Sequence, residues 1–243
     1  MTSFIYGVNP VRELLRRRPG DVKQILVGRK EQGLEQVIAA AQKSGASVTL
    51  VNRNELDSIT NSREHQGIAA EAPLPRTVAI EDVLQKIARN PQALVVLLDQ
   101  IEDPQNLGAI IRSAECSGAD CVVIPEHRSA GVTPAVLKAS AGALEWIPLA
   151  VVTNLTHVLE QVKEAGFWSY AATASARESI WQTRFSEKSA LVIGSEGKGI
   201  RPLVLKNCDF EVAIPLYGKI QSLNASVSSA VLLYEFRRQF PAV

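Results

Sequence analysis

The chain has 243 residues, of which 46% are apolar and 21% charged, and its formal net charge is +1. These proportions fit a globular protein of one large or two modest domains, and they exclude a disordered chain and a strongly basic nucleic-acid binder. No apolar run reaches the roughly 18 residues that a membrane helix needs, and the first residues lack a secretory signal, so we expect a cytoplasmic protein without membrane contact.

The first seventy or so residues have the pattern of a small α/β unit. Asn9 with Pro10 predicts the start of one helix, and Asn54 predicts the start of another, because asparagine caps helix N-termini. Apolar residues with helical or alternating spacing lie between these signals. The predicted strands are residues 22–27, 47–51 and 68–71.

Basic side chains are concentrated in residues 1–30, where seven lysines and arginines outnumber two acidic residues. Such a cluster is enough for a modest phosphate-binding face. Basic residues are equally typical of a helix C-terminus, where they offset the helix dipole, so both interpretations stay open. The cluster consists of Arg12, Arg16, Arg17, Arg18, Lys23, Arg29 and Lys30.

Two features mark the end of this unit. His65 is in the turn before the last strand, where a histidine is more often structural than functional. Residues 73–78 are Pro-rich and extended, which predicts a linker. The expected domains are therefore residues 1–72 and 79–243.

The larger domain alternates helices with unbroken apolar strands, which indicates a mainly parallel sheet covered on both faces. Ligands bind such sheets beyond the carboxyl ends of the strands, so the polar loops there are the candidate site. The predicted strands are residues 93–98, 121–124, 146–152, 167–172, 191–193 and 210–214.

The first polar loop follows the strand at residues 93–98. Either Asp103 or Asn106 caps the helix that comes next. Arg112 is on that helix, away from its apolar stripe. It is either a solvated surface cation or a fixed cation for a phosphate or a developing oxyanion.

Two further polar loops follow later strands. Residues 191–200 contain three glycines but match neither a Walker A loop nor GxGxxG, which argues against nucleoside triphosphates and dinucleotides. Residues 214–226 lead into a last helix with several side chains able to cap it. Its predicted apolar face consists of Val227, Ala230, Val231 and Tyr234.

Taken together, the three loops resemble the signature motifs of the SpoU family, the 2′-O-ribose RNA methyltransferases of the SPOUT superfamily. The resemblance spans roughly residues 90–240. The N-terminal unit resembles the ribosomal-protein-like substrate-binding domain of the subgroup that methylates 23S rRNA. The matching motifs are Asp103-Pro-x-Asn106-x-Gly108-x-x-x-Arg112-x-Ala114, Gly194-Ser-Glu-Gly-x-Gly199, and Ile214-Pro followed by Ser222-Leu-Asn224-x-Ser226.

The resemblance implies an α/β fold whose C-terminal SPOUT domain contains a trefoil knot. It also implies S-adenosyl-L-methionine as methyl donor and a homodimer with the cofactor near the subunit interface. No metal is required, and the three cysteines form neither a CxxC pair nor a zinc-like cluster. By motif match, the cofactor-binding residues are Gly194, Ile214 and Leu223, with Thr173 as a weaker addition.

The same motif match implies a polar reaction site. Arginine is a poor general base because its pKa is about 12 or above, so Arg112 is expected to anchor a phosphate and to stabilise the emerging 2′-oxyanion. The other members would hold the arginine and the ribose in place. The predicted site consists of Asn106, Arg112, Glu196, Ser222 and Asn224.

The expected substrate is a guanosine in the peptidyl-transferase region of 23S rRNA or of its precursor particle. A tRNA ribose methyltransferase is the near alternative, although the extra N-terminal domain argues against its simplest form. A catalytically idle RNA-binding assembly factor is a second alternative. A phosphate-binding metabolic enzyme is supported only by the three glycines in residues 191–200.

Overall fold

A computed structural model describes residues 2–28 and 33–241 of the chain. Within these residues the contacts define two compact units. The first unit contains the residues up to Pro75 together with Val132–Trp146, and the second contains Arg76–Gly131 and the chain from Ile147 onward. None of the helices in the described ranges is long and apolar enough to cross a membrane.

Strands and helices alternate along most of the described chain. The strands are β1 (Ser3–Tyr6), β2 (Gln24–Gly28), β3 (Ser47–Val51), β4 (Ile68–Ala72), β5 (Ala93–Asp99), β6 (Cys121–Pro125), β7 (Leu149–Val152), β8 (Trp168–Ala172), β9 (Glu178–Ser179), β10 (Lys188–Gly194) and β11 (Phe210–Ala213). The helices are α1 (Val8–Arg17), α2 (Glu35–Lys43), α3 (Arg53–Thr60), α4 (Ile80–Ile87), α5 (Pro104–Cys116), α6 (Pro134–Ala139), α7 (Leu155–Glu164), α8 (Pro202–Lys206) and α9 (Ala225–Gln239).

The first unit contains a four-stranded sheet in the order β1-β4-β2-β3. β2 and β3 are parallel, whereas β4 runs antiparallel to both of its neighbours. Ile5, Leu14 and Ile25 are fully buried in this unit. The small α/β domain predicted from the sequence is confirmed.

Two predicted helix starts in this unit are wrong by two residues each. α1 begins at Val8, whose amide donates to the Gln66 side chain over 3.1 Å, so Asn9 lies inside the first turn. α3 is capped by Asn52, not by Asn54. The first amide of α1 is hydrogen-bonded by Gln66, 58 positions away in sequence. A local sequence pattern cannot predict a partner at that distance.

The segment Val132–Trp146, which contains α6, groups with the first unit although it is distant in sequence. Both carboxylate oxygens of Glu145 accept hydrogen bonds from Arg18, over 2.8 and 2.9 Å. The Glu145 side chain is buried, and its hydrogen bond raises the pKa of Arg18. Trp146 donates to Glu13 over 3.1 Å. The boundary at residues 73–78 stays a prediction, and this segment adds a second, non-contiguous piece to the N-terminal unit.

Most of the N-terminal basic side chains in the described ranges have partners within the first unit. Arg16 is 3.1 Å from Glu13 and, with Arg17, lies in the last turn of α1, as the helix-dipole interpretation expects. Arg17 also lies over the Trp146 ring, 5.5 Å from its centroid. Arg29 and Lys30 lie outside the described residues.

His65 is a buried structural residue, which agrees with the interpretation that its position in a turn favoured. Its Nδ1 accepts the Gly67 amide over 2.9 Å, so Nε2 carries the proton and donates to Asp57 over 2.8 Å. Both ring nitrogens are therefore used within the fold.

The second unit is built on a seven-stranded sheet in the order β7-β6-β5-β10-β8-β11-β9. Every pairing is parallel, and β5 is buried along its whole length. The parallel sheet predicted from the unbroken apolar strands is confirmed. The carboxyl ends of all seven strands therefore face one edge, where the predicted polar loops belong.

The chain path after β10 connects distant parts of this sheet. β11 lies on the far side of β8, and residues 214–224 then return towards β5, where α9 packs against α5.

The predicted apolar face of α9 is wrong. Val227 and Tyr234 are 48% and 55% exposed. Ser229 can be buried because its hydroxyl donates a hydrogen bond to the Ala225 carbonyl within the helix. A prediction that places only apolar residues on the buried face therefore leaves Ser229 out. The buried side chains of α9 are Ala225, Ser229, Leu232, Leu233, Glu235 and Phe236.

Candidate active site

Three of the five predicted reaction-site residues meet at the carboxyl edge of the parallel sheet. The side-chain nitrogen of Asn224 donates to Asn106 Oδ1 over 2.9 Å and to Glu196 Oε2 over 3.2 Å. One residue comes from each of the three predicted loops. We call this hydrogen-bonded trio the polar network.

Asn106 takes its place through the start of α5. Asp103 caps this helix and accepts the amides of Gln105 and Asn106, each over 3.2 Å, and Pro104 occupies the first helical position. Of the two cap candidates, Asp103 is therefore the cap. The Asn106 side chain is left to accept the hydrogen bond from Asn224.

Asn224 combines a structural and a site role. Its Oδ1 accepts the Ser226 amide over 2.9 Å and the Ser226 hydroxyl over 2.6 Å, which caps α9. Because this oxygen already has its partners, the side-chain NH₂ is the group that faces Asn106 and Glu196.

Glu196 is presented by residues 194–200, which we call the Gly-rich loop. Ser195 and Gly199 exchange two backbone hydrogen bonds, of 3.2 and 2.9 Å, and so close the loop on itself. A Cβ added to Gly194 would lie 2.2 Å from the carbonyl carbon of Gly199. Only glycine at position 194 allows this close approach of two backbone segments.

A cavity of about 510 Å³ opens beside the polar network. Its size is that of a typical small-molecule site. All four predicted cofactor-binding residues line it, and Glu196 and Ser222 reach its wall. The four residues are Thr173, Gly194, Ile214 and Leu223.

A second cavity, of about 270 Å³, adjoins the Gly-rich loop and has Asn106 in its lining. Ser195, Glu196 and Lys198 line both cavities, so this loop forms the wall between them. Sequence reasoning did not single out Lys198, although a lysine between glycines was a usable signal.

Two of the five predicted residues stay outside the polar network. Arg112 is exposed and makes no hydrogen bond or ion pair with any residue in the ranges 2–28 and 33–241. It follows Asn106 by six positions, which turns it about 120° around α5. Ser222 is exposed at the larger cavity and likewise has no hydrogen-bond partner in the described chain.

A pair of charged side chains near the Gly-rich loop was also missed. Asp99 is buried at the end of β5 and pairs with Arg201 over 2.8 Å. An acidic residue that ends an unbroken apolar strand was the available signal. Among the described residues, no group of three metal-ligating side chains lies close together.

Two family models match the chain. One, described as the SpoU rRNA Methylase family, matches residues 93–234. The chain belongs to this family. The other model, described as RNA 2′-O ribose methyltransferase substrate binding, matches residues 4–78. The enzyme is therefore an RNA 2′-O-methyltransferase that uses S-adenosylmethionine.

Known proteins resemble this methyltransferase over nearly its whole length. The 23S rRNA (guanosine-2′-O-)-methyltransferase RlmB of Pseudomonas putida is 38% identical over 240 residues, which cover 97% of this chain and 96% of that protein. A crystal structure of an RNA 2′-O ribose methyltransferase has a TM-score of 0.80 at 27% identity, over 98% of this chain and 88% of that one. An AdoMet-bound rRNA methyltransferase from Sinorhizobium meliloti shares the fold, with a TM-score of 0.79 at 23% identity over 99% of this chain and 88% of that one. The family and the fold class predicted from the motifs are confirmed.

Proposed function

We propose that this enzyme methylates the 2′-hydroxyl of a guanosine in the peptidyl-transferase region of 23S rRNA or its precursor particle, in the cytoplasm. The observation that carries this proposal is that the likeness to the P. putida 23S rRNA enzyme extends over both units of the chain. The match of residues 4–78 to a substrate-binding model supports a dedicated RNA-binding role for the first unit.

The larger cavity is the proposed cofactor site, and its lining fits S-adenosylmethionine. Gly194 lines the cavity and has no side chain, so its backbone N–H and C=O groups are exposed to the cavity. These groups are able to hydrogen-bond the nucleoside or the amino acid part of the cofactor. Ile214 and Leu223 offer apolar contacts to an adenine ring, and Thr173 adds a hydroxyl. When bound, this cofactor supplies a methyl group on a positively charged sulfur.

The polar network is the proposed reaction site. The Glu196 carboxylate is able to accept a hydrogen bond from a ribose hydroxyl, and its bond from Asn224 limits its rotation. Ser222, at the adjoining cavity wall, is a further hydroxyl able to orient the ribose. Arg112 would bind a phosphate and stabilise the oxyanion, because an arginine stays protonated at neutral pH.

A homodimer would explain the position of Arg112. Within one chain the Arg112 side chain is exposed and has no hydrogen bond to the polar network. In the proposed dimer, Arg112 of one subunit would lie near the polar network of the other. The exposed apolar side chains of α9, Val227 and Tyr234, supply a surface that such contact would bury.

Sedimentation should give twice the mass of one chain, and Tyr234→Arg should shift the enzyme towards monomer. A monomeric wild-type enzyme would contradict this arrangement.

Methyl transfer to defined RNAs tests the substrate. Labelled S-adenosylmethionine is incubated with unmodified 23S rRNA, with precursor particles and with tRNA, and the modified nucleotide is mapped by reverse transcription. We expect one ribose-methylated guanosine in 23S rRNA or in the particle. Labelling of tRNA alone would keep the enzyme class and overturn the target.

A further inference from the structure

Asp99 ends β5 with a carboxylate that is fully buried. Its two oxygens accept hydrogen bonds from one residue, Arg201, through the backbone amide and through Nε, each over 2.8 Å. A buried carboxylate is strongly unfavourable unless it is paired and hydrogen-bonded. The pair therefore holds Arg201 firmly at the end of the sheet.

Asp99 is connected to both ends of the Gly-rich loop. In the ladder between β5 and β10 it stands opposite Gly194, the first residue of the loop. Through its carboxylate it holds Arg201, the first residue after the loop. The backbone of Asp99 thus lies beside the residue where the loop begins, and its side chain holds the residue that follows the end of the loop.

The residue after Asp99 has an unusual backbone. Gln100 has a φ of 63°, in the left-handed region that a non-glycine residue adopts at a cost. It is buried and lines the smaller cavity. A firm hold on the chain just before Gln100 keeps this conformation in place beside the site.

The loop held in this way carries the geometry of the site. It forms the wall between the two cavities, and its Glu196 accepts the hydrogen bond from Asn224. A displacement of the loop would move the proposed cofactor wall and the carboxylate together. Positional errors of about 1 Å are enough to cost a large factor in rate.

We propose that Asp99 is a positioning residue of this methyltransferase. Its pairing with Arg201 fixes the Gly-rich loop so that Gly194 faces the cofactor and Glu196 reaches Asn224. The inference rests on the proposed assignment of the larger cavity to S-adenosylmethionine and of Glu196 to the reaction site. Asp99 itself does not contact the reacting groups.

Two variants and one control separate this role from general stability. Asp99→Asn keeps the shape of the side chain and removes its charge, and Arg201→Gln is milder because the backbone amide bond to Asp99 remains. The control is Asp209→Asn. Asp209 precedes β11 at the opposite, amino edge of the same sheet, and it also accepts hydrogen bonds and pairs with Lys163 over 3.0 Å.

Three measurements are made on the full-length enzyme: the dissociation constant of S-adenosylmethionine, kcat with saturating RNA, and hydrogen exchange of the loop amides. In Asp99→Asn we expect cofactor affinity and kcat each to fall about tenfold or more, and the loop amides to exchange about tenfold faster. Arg201→Gln should change all three in the same direction by less. Asp209→Asn should lower the melting temperature and leave all three within about twofold of wild type.

Wild-type loop exchange in both Asp99→Asn and Arg201→Gln would overturn the inference. An equal loss of affinity and kcat in Asp209→Asn would overturn it as well, because the effect would then be general destabilisation. If Asp99→Asn fails to fold, Arg201→Gln decides alone. Hydrogen exchange of the loop needs no RNA, so an enzyme inactive on 23S rRNA would contradict the proposed substrate and leave this test intact.

Discussion

Gly194 illustrates how one residue sets the shape of the proposed cofactor site. A methyl group there would overlap the Gly199 backbone at 2.2 Å, so the Gly-rich loop would have to open. Gly194→Ala should destabilise the enzyme by about 1–3 kcal/mol and weaken S-adenosylmethionine binding at least about tenfold. Calorimetric titration and thermal unfolding measure the two effects.

A matched control for Gly194→Ala is Gly218→Ala. An added Cβ at Gly218 meets nothing within 4 Å, and this residue lies in the loop before α9. We expect wild-type affinity from this control. Unchanged cofactor affinity in Gly194→Ala would place the cofactor elsewhere.

Single residues were predicted well where a motif fixed the local backbone, and less well where a distant partner decided. Local stereochemistry narrowed the cap of α5 to Asp103 or Asn106, and it predicted the close backbone approach at the glycines of the Gly-rich loop. The pairing of Asn224 with Asn106 spans 118 positions and was accessible only through the family resemblance. The six-residue spacing between Asn106 and Arg112 was the available signal that the two side chains would lie on different faces of α5.

At the level of elements, α9 begins at a residue that also serves the site. Asn224→Ser should keep most of the cap, because a serine oxygen accepts the same backbone amides. It removes the NH₂ group that binds Asn106 and Glu196. We expect a stability loss below about 0.5 kcal/mol and a fall in kcat of about tenfold or more.

Asn224→Ala is the comparison variant for Asn224→Ser, since it removes the cap as well. It should lose about 1 kcal/mol of stability in addition to activity. Urea unfolding and single-turnover transfer separate the two roles. If Asn224→Ser retained full kcat, the polar network would not be the reaction site.

Asp209, just before β11, is hydrogen-bonded to Ser169 of β8, and its carboxyl group has a lowered pKa. Burial alone would raise the pKa of Asp209, but hydrogen bonds from the Ser169 hydroxyl and amide, with help from Lys163, lower it. A lowered pKa in the folded state means that this stabilisation is present above the unfolded pKa of about 3.9 and disappears as the pH falls through the lower folded value.

The stability lost in Asp209→Asn should therefore depend on pH. We expect a deficit of about 1–2 kcal/mol at pH 7 that shrinks towards zero as the pH falls below about 4. Urea unfolding of both proteins across this range measures it. A deficit that is equal at both ends of the range would contradict the assigned hydrogen bonds.

Elements were predictable where burial dominated their composition. β5 and β6 are apolar on both faces and were located within one residue. α9 was located correctly, but its buried face was not, because buried Ser229 and Glu235 satisfy their polar groups within the helix. The two-residue strand β9 has too little sequence to produce a pattern.

For the whole molecule, the sequence predicted two domain types but not how the chain is shared between them. Segment Val132–Trp146 groups with the first unit, and it contains the buried Glu145, which pairs with Arg18 at a distance of 127 positions along the chain. Hydrophobic periodicity carries no information about such a pairing. The trefoil knot likewise depends on chain path and not on local pattern, so only the family resemblance predicted it.

The central claim is that the carboxyl edge of the parallel sheet is a methyl-transfer site to which Arg112 contributes charge. Single-turnover transfer from labelled S-adenosylmethionine, with wild-type enzyme and Arg112→Ala on the same saturating RNA, tests it most directly. We predict a fall in rate of about 10²–10³ with most RNA and cofactor binding retained, because Arg112 acts on charge that develops in the transition state. Transfer at the wild-type rate by Arg112→Ala would contradict this account.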